Sequence, residues 1–116
     1  MRLHRPERVS ELIRHELSAL VLREMEFPGA LVTLTSVNVT SDLEHAAVKV
    51  SVLPINKAPE VMKKFKWAVG QLQFLLGRKL NIRPMPRIAF ELDFGPERAS
   101  AIEKDLLEIE KKEKML

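Results

Sequence analysis

Along these 116 residues the spacing of apolar side chains switches repeatedly between the helical and the strand period, and that succession constrains the fold more than any single motif. From Pro6 to Met25, the residues Val9, Leu12, Ile13, Leu17, Leu20 and Val21 recur at three- and four-residue steps, which places one face of an α-helix on a core. Pro6 suits the first turn, where a missing N–H is no loss. Phe27-Pro28-Gly29 stops the helix, because proline and the residue before it disfavour helical continuation. Leu31 to Thr40 is dense in Val, Thr and Leu and reads as a strand. Its inward set changes phase from Val32 and Leu34 to Val37 and Val39, which one extra residue near Thr35-Ser36 produces through a β-bulge. After a turn at Ser41-Asp42, Ala46 to Leu53 alternates cleanly, with Val48, Val50 and Val52 on one side; the short connection predicts an antiparallel hairpin.

The helical period returns at Pro59, where Val61, Met62, Phe65, Val69, Leu72 and Leu76 fall on one arc of a long stretch reaching Leu80. Glycine in a helix interior costs ~1 kcal/mol relative to alanine. Gly70 within Ala68-Val69-Gly70, followed by Gly77, therefore predicts a helix, a kink and a second helix. Arg83-Pro84-Met85-Pro86 ends the pair, and Arg87 to Phe94 alternates again as a third strand. Gly95-Pro96 precedes a last helical pattern on Ala99, Ile102, Leu106 and Ile109, which fades into the mixed-charge run Glu110 to Lys114. The expected architecture is an α+β domain over residues 1–96, with helices on one small sheet, and a helical tail over residues 97–116.

Composition narrows the chemistry. Hydrophobic residues at 46% and charged residues at 30% are ordinary globular usage, which argues against a disordered or fibrous chain. No apolar stretch approaches the ~20 residues of a membrane helix, and no secretory h-region opens the chain, so a soluble, unprocessed, cytoplasmic protein is expected. The absence of cysteine removes disulfides, thiol nucleophiles and zinc–thiolate sites. His4, His15 and His45 lack metal-pair spacing, so neither metal nor cofactor is expected. Glu91 and Asp93 share the outward face of the third strand, but alternation puts polar residues there without any catalytic purpose. Glu16 projects inside the apolar arc of the first helix, which a snorkelling side chain or a hydrogen bond to a neighbouring backbone explains. With no phosphate loop or nucleophile elbow, nothing points to an enzyme.

Charge supplies the positive evidence. The net charge of +3 conceals a segment from Lys57 to Arg87 that carries +7, with Glu60 its one acid, while the remainder of the chain sums to −4. Such segregation is the footprint of a face meeting a polyanion. Lys63, Lys64, Lys66, Arg78, Lys79, Arg83 and Arg87 are the candidate phosphate contacts, with additional RNA contacts at Arg5, Arg8 and Trp67. On a helical wheel Phe65 and Leu72 point inward, whereas Lys63, Lys66, Trp67, Gly70 and Phe74 lie toward the other side. Lysines that hold phosphates and rings that stack on unpaired bases suit single-stranded RNA. Two alternatives stand beside that reading: the first or the last helix covers Trp67 and Phe74, or the kink turns Phe74 inward. A second functional class also stands, a protein-interaction module whose basic face meets acidic protein surfaces.

Taken in order, several segments resemble ribosome-binding factor A, a family of bacterial small-subunit assembly factors. Arg5-Pro6-Glu7-Arg8-Val9 with Ile13-Arg14-His15-Glu16-Leu17 resembles the family's opening helix. Val32-Thr33-Leu34-Thr35 with Val37 to Leu43 resembles its first strand and turn, and Ala47 to Leu53 its second strand. Ala68-Val69-Gly70 is similar to its Ala-x-Gly kink, and Arg83 with Pro86 and Ile88-Ala89-Phe90 to its entry into the third strand. The resemblance implies a type II KH-like domain in which Ala68 and Gly70 set a kink in place of a Gly-x-x-Gly loop, which this sequence does not contain. It further implies a monomer that binds the immature 30S subunit and its 16S ribosomal RNA, supports maturation of the RNA ends and matters most in the cold. Gln73 stands where the family often has arginine, and Phe27-Pro28-Gly29 replaces its usual Asp-Pro-Arg turn.

Overall fold

The computed structural model describes residues 5–94. Helix α1 (Arg5–Glu24) leads into strands β1 (Leu31–Val39) and β2 (His45–Leu53); a single 3-10 turn (Ile55–Lys57) precedes the long helix α2 (Ala58–Leu80), and strand β3 (Arg87–Leu92) follows. The sheet order is β1-β2-β3. β1 and β2 form the expected antiparallel hairpin, and the register slips by one residue between Leu34 and Ser36, where the change of apolar phase placed the bulge. β3 runs parallel to β2, so α2 is the crossover between them.

Both helices cover the same face of the sheet. Ile13 and Leu17 from α1, Phe65, Leu72 and Leu76 from α2, and Val48, Val50 and Val52 from β2 are essentially without exposure and form the centre of the core. The Phe65 ring lies between Phe27 and Phe90, with centroids 5.3 Å and 4.4 Å away. Phe27 reaches that position because Pro28 and Gly29 turn the chain beneath it. The Ala30 N–H donates to the Phe27 carbonyl at 3.1 Å, and Gly29 takes φ +74°, a conformation glycine adopts without a Cβ clash. At the other end of the hairpin the Asp42 carboxylate accepts from the Thr40 hydroxyl and from the Glu44 N–H, at 3.0 Å for the latter. This bracing holds the buried Leu43 at φ +62°.

Two long-range bonds show that α1 and α2 run antiparallel. At one end the Arg5 guanidinium donates to the Arg83 carbonyl at 3.1 Å; at the other the Lys64 ammonium donates to the Glu26 carbonyl at 2.8 Å. α2 ends at Asn81, whose left-handed backbone (φ +48°) closes the last turn through its N–H on the Gly77 carbonyl.

Three sequence expectations are corrected. The kinked helix pair is a single α-helix that continues unbroken through Ala68-Val69-Gly70. A glycine keeps its N–H and so interrupts no hydrogen bond, and the packing of Phe65 on one side and Leu72 and Leu76 on the other outweighs its propensity cost. Leu12, assigned to the apolar face of α1, is half exposed, because it sits at the edge of the arc that meets the sheet. β3 stops at Leu92, two residues before Phe94. The expected tail over residues 97–116 lies outside the described residues.

Candidate nucleic-acid interface

Amphipathic α2 buries the Phe65, Leu72 and Leu76 side and turns the rest of its surface outward, so the cations that interleave its apolar positions are presented rather than buried. Lys63, Lys64, Lys66, Arg78, Lys79, Arg83 and Arg87 are all exposed. They do not form one patch. Lys63, Lys64 and Lys66 occupy the first half of α2, Arg78 and Lys79 its last turn and Arg83 the Pro-rich exit, whereas Arg87 opens β3 on the outer sheet face that also carries Glu91. Lys63 and Lys79 are separated by roughly 24 Å at ~1.5 Å rise per residue. Arg5, an additional contact in the sequence reading, joins the second group through its bond to Arg83. Arg8 is exposed on the first turns of α1.

Between the two groups lie the rings. Trp67 is 82% exposed and Phe74 62% exposed, so neither α1 nor any other described element covers them, and the unbroken helix does not rotate Phe74 inward. Arg78 leans over Phe74, its guanidinium carbon 5.8 Å from the ring centroid. Gly70 falls on the same stripe, between the rings, and a Cβ built there meets nothing within 4 Å. Gly70 therefore marks neither a break between two helices nor a close internal approach. Ala68, the other residue of the expected kink, is half-buried at the margin of the core.

The individual cations differ in freedom. Lys64 is held by the Glu26 carbonyl and lies over the Phe27 ring at 5.7 Å, so its charge marks the edge of the stripe. On that edge an open recess of about 720 Å³ is bounded by Glu24, Glu26 and Glu60 as well as by Lys63, Lys64 and Trp67. The recess is therefore mixed in charge, with three carboxylates set against Lys63 and Lys64. Lys79 and Arg78 border a second recess, at the seam with α1, together with Arg23 and Glu16. The half-buried Glu16 thus has three cations around its recess.

Glu91 and Asp93, the two carboxylates on the outer face of the third strand, are both engaged across the sheet. Glu91 bonds the Lys49 ammonium at 2.7 Å and raises the pKa of that lysine, while Asp93 accepts from the Thr35 hydroxyl at 2.6 Å. Among the described residues no group of three His, Cys, Asp or Glu side chains could hold a metal ion. No described helix is long and apolar enough to cross a membrane.

Sequence reasoning missed the role of Gln73. Its amide donates to the Pro86 carbonyl at 2.9 Å and accepts from the Ile88 N–H at 2.8 Å, which pins the Pro-rich exit and the start of β3 to α2. The Gln73 side chain is therefore a structural tie between α2 and the entry to β3. The one signal in the sequence was a polar residue next to Leu72 in an otherwise apolar sector of α2.

Comparison with known proteins agrees with this fold. The family model described as "Ribosome-binding factor A" matches residues 5–106. A ribosome-binding factor A of Akkermansia muciniphila is 34% identical over 107 residues, 92% of this chain and 86% of its own length. The crystal structure of ribosome-binding factor A from Thermus thermophilus superposes with a TM-score of 0.65 at 19% identity, covering 77% of this chain and 97% of that one. A Thermus thermophilus homology model, fitted into a cryo-EM map of a 30S complex, gives 0.61 at 21% identity, covering 72% and 90%.

Proposed function

Since the chain belongs to the ribosome-binding factor A family, we propose that it binds the immature small (30S) ribosomal subunit through 16S ribosomal RNA, as a non-enzymatic assembly factor. In this reading it acts as a monomer in the cytoplasm, supports late maturation and processing of the RNA ends, and is needed most in the cold. Family membership supports the assembly role, together with the 30S complex described for the Thermus protein. The observation that carries the site is the exposure of all seven predicted cations, six of them on α2 and its Pro-rich exit and Arg87 at the start of β3. Lys63, Lys66, Arg78, Lys79, Arg83 and Arg87 supply phosphate contacts, Lys64 borders them, and Arg5 and Arg8 extend the surface onto α1. Residues 5–94 hold this surface, which fits a KH-like RNA-binding domain over residues 1–96.

The test is co-sedimentation with free small subunits across a salt series. Each phosphate contact contributes about 0.7 to 0.9 to the slope of log K against log salt. Lys63→Ala, Lys64→Ala and Lys66→Ala combined should weaken association and flatten that slope by about 1.4 to 2.7. An unchanged affinity and slope would remove the first half of α2 from the interface. Ribonuclease treatment of a lysate pull-down should abolish capture of ribosomal components; capture that persists would favour the basic-faced protein-interaction module.

A further inference from the structure

Trp67 and Phe74 are large apolar groups left in water on a helix that otherwise buries its rings, and the described core gives no reason for them. Seven residues apart, they lie about 20° from each other around the helix and ~10.5 Å apart along it. That spacing equals roughly three stacked base steps of ~3.4 Å. Gly70 sits on one flank of the gap between them with open space where a side chain would be, while the exposed Gln71 holds the other flank. Cations flank both rings, Lys63 and Lys66 beside Trp67, and Arg78 over Phe74. A protein partner for two exposed rings would normally bring an apolar surface; here Lys63, Lys66 and Arg78 lie beside the rings and complement phosphate, with Glu24, Glu26 and Glu60 confined to the recess on one side of Trp67.

We infer that Trp67, the Gly70 backbone and Phe74 form a stacking platform for the bases of an unpaired RNA segment whose phosphates run along Lys63, Lys66 and Arg78. The inference rests on the RNA-binding reading above and specifies the form of RNA: bases in a duplex have their faces occupied by neighbours, so only a single strand can offer them to the rings. It also separates two roles along α2, with phosphate attraction at the two basic groups and stacking between them.

Trp67 is the one tryptophan of the chain, so its fluorescence reports the platform alone. The full-length protein is titrated with an unstructured eight-nucleotide RNA and with an eight-base-pair duplex at equal salt. Saturable quenching by the single strand and little by the duplex is expected. Phe74→Ala should weaken single-strand binding about fivefold or more while leaving the salt slope unchanged, because a stacked base contributes without releasing counterions. Far-UV circular dichroism confirms that this exposed-site variant is folded. No quenching at saturating single strand, an equal response to the duplex, or equal loss of both ligands in Phe74→Ala would overturn the platform. So would quenching by ribonuclease-treated ribosomal proteins, which would assign the rings to a protein surface. If Trp67→Ala with Phe74→Ala still co-sediments with small subunits like wild type, the platform fails and the assembly reading survives. If the wild type itself does not co-sediment, that reading fails first.

Discussion

Replacing Gly70 by alanine should stabilise this protein, and the size of the gain follows from the geometry of α2. Residue 70 lies in the interior of a 23-residue helix, thirteenth from its start, and is exposed. A methyl group there meets no atom within 4 Å, so no steric cost opposes the change. What remains is the propensity difference, about 0.8 to 1 kcal/mol, which arises mainly because the unfolded chain loses freedom. Urea unfolding followed by circular dichroism reads this directly. At an m-value of roughly 1 to 3 kcal/mol/M, the midpoint should rise by about 0.3 to 1 M with the slope unchanged. Gly70→Leu, with nearly alanine's helix propensity, should also stabilise the fold, yet it places a side chain between Trp67 and Phe74 and should weaken binding of single-stranded RNA. Opposite signs for folding and recognition would tie the glycine to the surface it leaves open. A lowered midpoint in Gly70→Ala would refute the reasoning, since it requires a backbone break or a close neighbour that the continuous helix denies.

Two further outcomes test the supports of the site. Gln73→Ala leaves the Pro86 carbonyl and the Ile88 N–H without their amide partner and should cost about 1–3 kcal/mol, measured by the same urea titration, with exchange of the Ile88 amide accelerated. For Asp42, the Thr40 hydroxyl and the Glu44 N–H hold the carboxyl below its ordinary range. A depressed folded-state pKa adds stability above the unfolded pKa, about 3.9, which is lost as pH falls through the lower folded value. Wild type should therefore exceed Asp42→Asn in thermal stability near pH 6, with the gap closing below about pH 4; a gap independent of pH would show that the carboxylate charge plays no part.

Most of the fold was legible because burial imposes its own spacing. The three-and-four pattern of Val9 to Val21, the alternation of Val48, Val50 and Val52, and the phase change after Leu34 each mark which side of an element meets the core. The parallel pairing of β3 was not legible from spacing, because alternation by twos is the same in both strand directions. The division of α2 into two helices failed for a question of magnitude: two helix glycines cost about 2 kcal/mol together, while burying Phe65, Leu72 and Leu76 contributes about 1.5–3 kcal/mol each. Of the site, the cations were legible as charge segregation. The tie made by Gln73 was not, since a side-chain amide shows its partners only once Pro86 and Ile88 are brought beside it. For Trp67 and Phe74, sequence spacing left cover by the first helix open, and their exposure answers it, while the last helix lies outside the described residues.

The bulge in β1 has a bearing on chain length. Leu34 pairs with Val50 and Ser36 with Lys49, so Thr35 is the one residue of the strand without a counterpart on β2. Its hydroxyl instead reaches Asp93, just past the end of β3. Thr35 is thus the place where β1 can lose a residue and keep both Leu34 and Val37 facing inward, turning an irregular strand into a regular one. Removal of Thr33 or Asn38 would instead turn one half of the strand inside out. A chain shorter by one residue in this region is accommodated by the hairpin at that point, and the contact it forfeits is the bond that spans the sheet from its first strand to its last.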